Sequence, residues 1–518
     1  MFIFSIVILF SCMMATYADA NVKPSLKTDI IRKKHVLPNS VLPSRASLEK
    51  KKETNQTIPR ATSHSITQIP VLIDQPGYYT VDANLVNSFD QAGITIRANN
   101  VAIDFHLNTF TLSGVAVGID MKGYSNISIT NANFVSTLHG EWSINMQDCS
   151  AVTFNSCTFT NGENCISASN VNSLTFANCN LLNYGYCALY ARGIKNLVVK
   201  DSFFQGNPKA AYWALDLWNI DGLQVINTSF SGLEPHDPVG ASIELTESNN
   251  IQIQNSSFVE QNKESIHAEN CTGILIEKCT FAPTTKNWFG CLDLRWCSSA
   301  LIRGCAISNP LSDAGFNGII LDSPYAFILE NITIDMSAQG SRYSTDAAGI
   351  LINSTMSSYA GTSTGVLVKN CIIHNAGKTG ILCDAQDDGY PNKNITIEGS
   401  IIDGSESGII LSNTWTSTIN KSSVKNCSGN GITVVNNMRD SSSSFSIANT
   451  ISNCSIASNG KDGIYIEPGV DKTLIRENDV FNNAGLGIST DAKSYLVNNI
   501  LYANGDSKTH KDVIKAAK

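Results

Sequence analysis

One short phrase recurs through most of this 518-residue chain, and it restricts the fold more than any other feature. Residues 152–159 (VTFNSCTF), 174–181 (LTFANCNL), 251–258 (IQIQNSSF), 274–281 (ILIEKCTF) and 366–373 (VLVKNCII) are variants of one segment. Each has two alternating apolar positions, an Asn-rich break, a residue that is usually small, and a second apolar alternation. Aligned on the residue after the break, the copies fall at Ala132, Cys157, Cys179, Ser202, Thr228, Ser256, Cys279, Cys305, Ile332, Cys371, Ser400, Ser422, Cys454, Asn478 and Asn499, and most steps are 21 to 29 residues. A self-similar period of that length means an array in which each repeat buries its apolar face only against its neighbours. The apolar residues alternate with period two and no amphipathic stretch of helix length intervenes, so the repeat is built of short strands and turns.

The residue before the aligned position is Asn at 131, 178, 227, 255, 331, 370, 453 and 498, and Gly at 304 and 399. These are the residues that tolerate a left-handed bend, which predicts an asparagine ladder along one corner. The expected fold is all-β, a solenoid of about fifteen coils. On these repeats, and on a first coil at 77–79, 93–96, 99–105 and 109–114, the sequence resembles the single-stranded right-handed parallel β-helix proteins over roughly four hundred residues. These form the pectin-lyase-like superfamily with its NosD-like repeats. Because that superfamily includes lyases, hydrolases, epimerases and adhesins, function has to be argued from side chains.

Residues 1–20 are an apolar run ending in Ala18-Asp19-Ala20, the small-x-small pattern of signal peptidase sites. A secreted, periplasmic or surface protein is expected. Residues 21–70 read as a basic, solvated linker, 71–505 as the β-helix and 506–518 as a tail. Ten Lys or Arg against three acids give residues 21–60 a net +7; with a chain total of −8 and one acid before residue 21, residues 61–518 carry −14. So acidic a solenoid is a poor partner for nucleic acid. Past the signal segment no stretch reaches the roughly 18 apolar residues of a membrane span.

Fifteen cysteines are present, one of them at Cys12. Cys157, Cys179, Cys279, Cys305, Cys371 and Cys454 share the aligned position with Ser, Thr and Ala, so they read as small buried stacking residues. Neighbouring pairs such as Cys157 with Cys179 are close enough in register for cross-linking to turn on geometry. There is no Cys/His cluster with zinc spacing.

The strand that begins each coil leaves two variable positions facing outward. The first row runs Asp120, Asn145, Ser167, Tyr190, Asp216, Glu244, His267, Asp293, then turns aliphatic at Ile320, Leu351, Leu382 and Ile410. The second runs Lys122, Gln147, Ser169, Arg192, Trp218, Thr246, Glu269, Arg295 and Asp322. Flat aromatics beside carboxylates and guanidiniums are what a sugar ring needs, its C–H face stacking while its hydroxyls hydrogen-bond, so a polysaccharide is the expected partner. Coils lie about 4.8 Å apart, which puts Asp216 and Glu244 near the separation of a retaining carboxylate pair, and Glu244 and Asp293 near that of an inverting one. The expected roles are Glu244 as general acid, Asp293 or Asp216 as base or nucleophile, and His267 between them as proton partner or substrate ligand. Tyr190, Arg192, Trp218, Glu269, Arg295 and His236 are the expected substrate ligands. The alternative for the same row is a solvated face that only serves solubility, or a glycan-binding surface without turnover.

Glu234-Pro235-His236-Asp237 resembles the Asp-Pro-His-Asp/Glu motif of alginate C5-epimerases with its first residue altered, which implies a role for Glu234 and His236 in uronate chemistry. A uronate lyase or epimerase is therefore the second enzymatic reading, with Arg192 or Arg295 neutralising the carboxylate and His267, His236 or Tyr190 as base. The Asn-Thr-Asp, Gly-His-Gly and Arg-Ile-Lys signatures of polygalacturonase-like hydrolases are absent. No cofactor is called for; Asp384, Asp387, Asp388 and Gly389 leave calcium open, as does a cation bridging a uronate to the acidic row, although their spacing does not make an EF-hand-like loop. The aliphatic outer positions predict a cover, either the connections 337–364 and 384–391 or a partner.

Overall fold

The computed structural model describes residues 63–505 apart from 114–116, 138–141, 209, 233–239, 261–263, 284–289, 309–316, 337–346, 355–362, 386–390, 437–445 and 491–492. The signal segment, most of the linker and the tail lie outside the described residues, as do the 234–237 motif with His236, and Asp387 and Asp388.

The described strands form three sheets of 20, 17 and 17 strands, all paired in parallel, and no helix occurs among the described residues. One turn of the solenoid comprises Trp213–Trp218, Asp221–Ile226 and Ser229–Ser231, after which Ile243–Thr246 stacks on Trp213–Trp218. The sheet holding Trp213–Trp218 is called the site sheet below. The expected bend is present: Asn131, Asn178, Asn227, Asn255, Asn331, Asn370, Asn453 and Asn498 all have φ between +50° and +55°. The amides of Asn131, Asn178, Asn227 and Asn453 bridge coils, as when Asn227 Nδ2 donates to Asp201 Oδ1 at 3.1 Å.

The aligned inward position has a second duty beyond packing. The bend leaves a backbone N–H inside the coil, and the equivalent side chain of the next coil accepts it: Cys179 N donates to Ser202 Oγ, Cys371 N to Ser400 Oγ, and Cys454 N to Asn478 Oδ1. Ser and Asn recur there because a buried donor must be met. The fourteen described cysteines are all buried and unbridged. Elsewhere the core is a stack of rings, Phe204, Phe230, Phe258 and Phe281, with successive centroids 5.1, 4.9 and 5.0 Å apart.

The small residue that opens the site-sheet strands is Gly93 and Gly118 in early coils, then Ser143, Cys165, Ala188, Ala214, Ser242, Ser265 and Cys291, then Gly318, Gly349, Gly380, Gly408, Gly431, Gly463 and Gly487. The reason for glycine is local space. A Cβ at Gly408 would overlap Val424 and the Gly431 carbonyl, although the glycine's φ is ordinary. Gly408→Ala is expected to cost about 2–3 kcal/mol by overpacking, seen as a lower urea midpoint. Ala214→Gly should cost only about 1 kcal/mol, because it relieves no clash and only loosens the backbone.

Candidate functional site

The outward rows fall in the register expected from the alternation. Tyr190 pairs with Asp216, Asp216 with Glu244, Glu244 with His267, and His267 with Asp293. Arg192, Trp218, Thr246, Glu269 and Arg295 are in register beside them. The parallel ladder brings together residues more than a hundred positions apart, and the strands Cys187–Arg192, Trp213–Trp218, Ile243–Thr246, Ile266–Glu269 and Gly290–Arg295 carry them.

Depth separates these residues more than the sequence indicates. Asp293, expected on the solvated face, is completely buried. Arg295 folds back two positions along its own strand and forks it, Nε lying 3.1 Å from both carboxylate oxygens and Nη2 2.6 Å from Oδ2. Arg295 is therefore committed to Asp293. His267 lies between acids, Nδ1 3.6 Å from Asp293 Oδ2 and Nε2 3.7 Å from Glu244 Oε1. Burial pulls the imidazole pKa down, but Asp293 and Glu244 outweigh it and hold it above the ordinary value. Burial likewise opposes ionisation of Asp293, and the contacts from His267 and Arg295 reverse that, leaving its pKa below the usual carboxylate range.

Glu244 goes the other way. Burial, reinforced by Glu264, Asp216 and Glu269, raises its carboxyl to about 7 in spite of His267. Asp216 is also raised by burial, while a 2.9 Å hydrogen bond from Trp218 Nε1 and the charge of Arg192 pull it back. The guanidinium of Arg192 lies over Tyr190 and Trp218, 4.8 and 5.2 Å from the two ring centroids, a cation–π sandwich on the exposed side. Beyond Asp216, Tyr186, Tyr212 and Trp213 form a second aromatic group, with centroids 5.1 to 5.6 Å apart.

Glu264 was not legible as a site residue. It precedes the small Ser265, where the alternation breaks, so neither outward row includes it. It is nonetheless buried, with its carboxyl raised chiefly by that burial. Glu264, His267 and Asp293 offer donor atoms within 4.8 Å of one another, a possible metal triad by distance. The Arg295 fork and the raised imidazole pKa both oppose a cation there, since each puts positive charge where the ion would bind. Of the aliphatic outer positions, Leu382 and Ile410 are buried in one cluster with Ala348, against which Leu351 and Val435 pack, while Ile320 and Leu351 are half-buried; most of the two connections expected to cover them lies outside the described residues.

The family model described as "Right handed beta helix region" matches residues 213–387 and 348–504, and the chain belongs to this right-handed parallel β-helix family. No curated protein matches the sequence. Among solved structures, the chain is similar to the A-module of the Azotobacter vinelandii mannuronan C-5 epimerase AlgE4, at 10% identity over 78% of this chain and 91% of that one with a TM-score of 0.31. It is also similar to a variant of the periplasmic alginate epimerase AlgG, at 9% identity over 76% and 77% of the two chains with a TM-score of 0.31. A third is the catalytic domain of a GH87 alpha-1,3-glucanase, at 12% identity over 86% of this chain and 64% of that one with a TM-score of 0.27.

Proposed function

We propose that the protein binds and cleaves a polysaccharide on this face by acid/base chemistry between Asp216 and Glu244. The observation that carries the reading is the Glu244 carboxyl, held at about 7 and in register with Asp216 on the next coil. A general acid must carry its proton at the working pH, and a half-buried carboxyl held near neutrality does so. Adjacent coils about 4.8 Å apart suit carboxyls near the roughly 5 Å of a retaining pair. Glu244 would give its proton to the glycosidic oxygen as that bond breaks, while an Asp216 carboxylate forms a bond to the anomeric carbon. Ionised Glu244 then takes a proton from the water that releases the sugar, and both groups return to their starting states.

Asp293 takes no direct part in this reading, because it is fully buried and forked by Arg295. It fixes the imidazole of His267, whose Nε2 adjoins Glu244 and steadies that group when it is ionised. Tyr190, Arg192 and Trp218 on one side, and Tyr186, Tyr212 and Trp213 on the other, are the stacking surfaces for sugar rings.

One observation favours proton abstraction from a uronate instead. An imidazole oriented by a buried carboxylate is a competent base, and Arg192 could neutralise the substrate carboxylate. A panel of neutral and acidic polysaccharides, followed for reducing ends and for the absorbance of unsaturated uronates, separates the two. Hydrolysis yields reducing ends without absorbance, and His267→Ala should slow it by about 10-fold to 100-fold. Absorbance that vanishes with His267→Ala would establish elimination in its place. Glycan retention without any product would leave a binding surface.

A further inference from the structure

The second outward row continues past Arg295 through Asp322, Asn353 and Asp384 on three consecutive coils. Over those coils the neighbouring first row is Ile320, Leu351 and Leu382, so the three oxygen-bearing side chains sit beside aliphatic surface. Asn353 is 6% exposed and Asp384 4%. The side-chain carbonyl oxygen of Asn353 is buried and accepts no hydrogen bond. A buried acceptor is normally met by a donor or an ion, and this one lies on the ladder between two carboxylates.

The donor set contains only oxygen, from two carboxylates and one carboxamide, with neither imidazole nor thiol. That chemistry suits a hard divalent cation and not a transition metal. The spacing is compatible with a single ion. With strands about 4.8 Å apart, Asp322 and Asp384 are about 9.6 Å apart at the backbone, and each carboxylate needs to lean only about 2.4 Å toward Asn353 to reach a shared ion at calcium–oxygen distances. An irregular, partly hydrated set of this kind fits calcium better than magnesium, which demands a near-ideal octahedron. We propose that Asp322, Asn353 and Asp384 bind one calcium ion, which ties three coils together immediately beyond the Arg295 end of the candidate active face. The proposal is independent of the carbohydrate reading, since none of the three residues belongs to the acid/base group.

The test uses the full chain, stripped with a chelator and then titrated with calcium chloride alone, without any glycan. Equilibrium dialysis should find one tightly held ion, and the melting temperature should rise by several degrees with calcium but not with the same concentration of magnesium. Asn353→Ala and Asp384→Asn should each weaken binding at least tenfold. Asn353→Asp supplies a third carboxylate, so it should tighten binding while lowering stability in chelator; it also reports on the site if either of the other variants folds poorly. A chain that retains no calcium would overturn the proposal. So would binding lost in His267→Ala but unchanged in Asn353→Ala, which would move the ion to the Glu264, His267 and Asp293 group.

Discussion

Replacing Glu244 by Gln is expected to lower turnover on the polysaccharide substrate by about 10³-fold with little change in KM, because the amide keeps the shape and the hydrogen bonds but has no proton to give. The wild-type kcat/KM should fall as the pH rises through about 7, the value at which the half-buried carboxyl ionises. The residual activity of Glu244→Gln should not follow that limb. The contribution of this group to stability falls with pH in the same direction. A carboxyl whose folded pKa is raised binds its proton more tightly in the folded chain, so its stabilising effect is present below its ordinary value and is lost as the pH rises to about 7. Above that pH the wild-type chain holds a partly desolvated charge that the variant lacks. Glu244→Gln should therefore melt higher than wild type at pH 8, by on the order of 3 kcal/mol at most, and about equally at pH 4. Equal melting at both values would mean that Glu244 is solvated and ordinary, and unchanged turnover would remove it from the chemistry altogether.

The two halves of that prediction depend on facts of different legibility. That Glu244 stands between Asp216 and His267 could be read from the chain, because period-two alternation and the small residue opening each site-sheet strand fix the register, and the observed pairings agree with it. The corner was legible where Asn or Gly marks it. It was hidden at Ser156, Asp201, Lys278, Lys421 and Glu477, which take the same positive φ because the stacked neighbours impose it on residues without that preference. Depth was not legible at all. Alternation says that Asp293 points outward, but whether an outward group meets water depends on what folds over it, and here the cover comes from Arg295 two residues away. Glu264 was missed for a related reason: it lies where the strand pattern is interrupted, so no periodicity assigns it a face. Patterning thus locates rows of side chains, while their charge states depend on contacts across coils.

Asp293 shows how much rests on those contacts. Asp293→Ala should destabilise the chain by about 3–5 kcal/mol at pH 6, because it leaves the Arg295 guanidinium and the His267 imidazole facing each other without the anion that pairs them. Asp293→Asn keeps the volume and some of the hydrogen bonds and should cost less. The pH dependence separates charge from packing. The folded pKa of Asp293 is depressed, so its stabilising effect is present above the ordinary carboxylate value and is lost as the pH falls through the depressed one. His267 contributes in the reverse sense: its raised pKa stabilises the fold below the ordinary imidazole value, and that effect disappears as the pH rises through the folded one. The penalty of Asp293→Ala should consequently be greatest in the mildly acidic range, where both groups are ionised, and should shrink as the pH falls through the depressed value and wild-type Asp293 takes up its proton. Titration of the His267 ring by NMR should find its pKa lowered in the variant, since burial then acts against the cation with only Glu244 to oppose it. If the penalty does not change as the pH is lowered from 6 into the acid range and the imidazole pKa does not move, Asp293 fills space and orients nothing. A falling imidazole pKa accompanied by slower turnover would instead identify Asp293 as the residue that sets the charge of His267, and through it the proton affinity of Glu244.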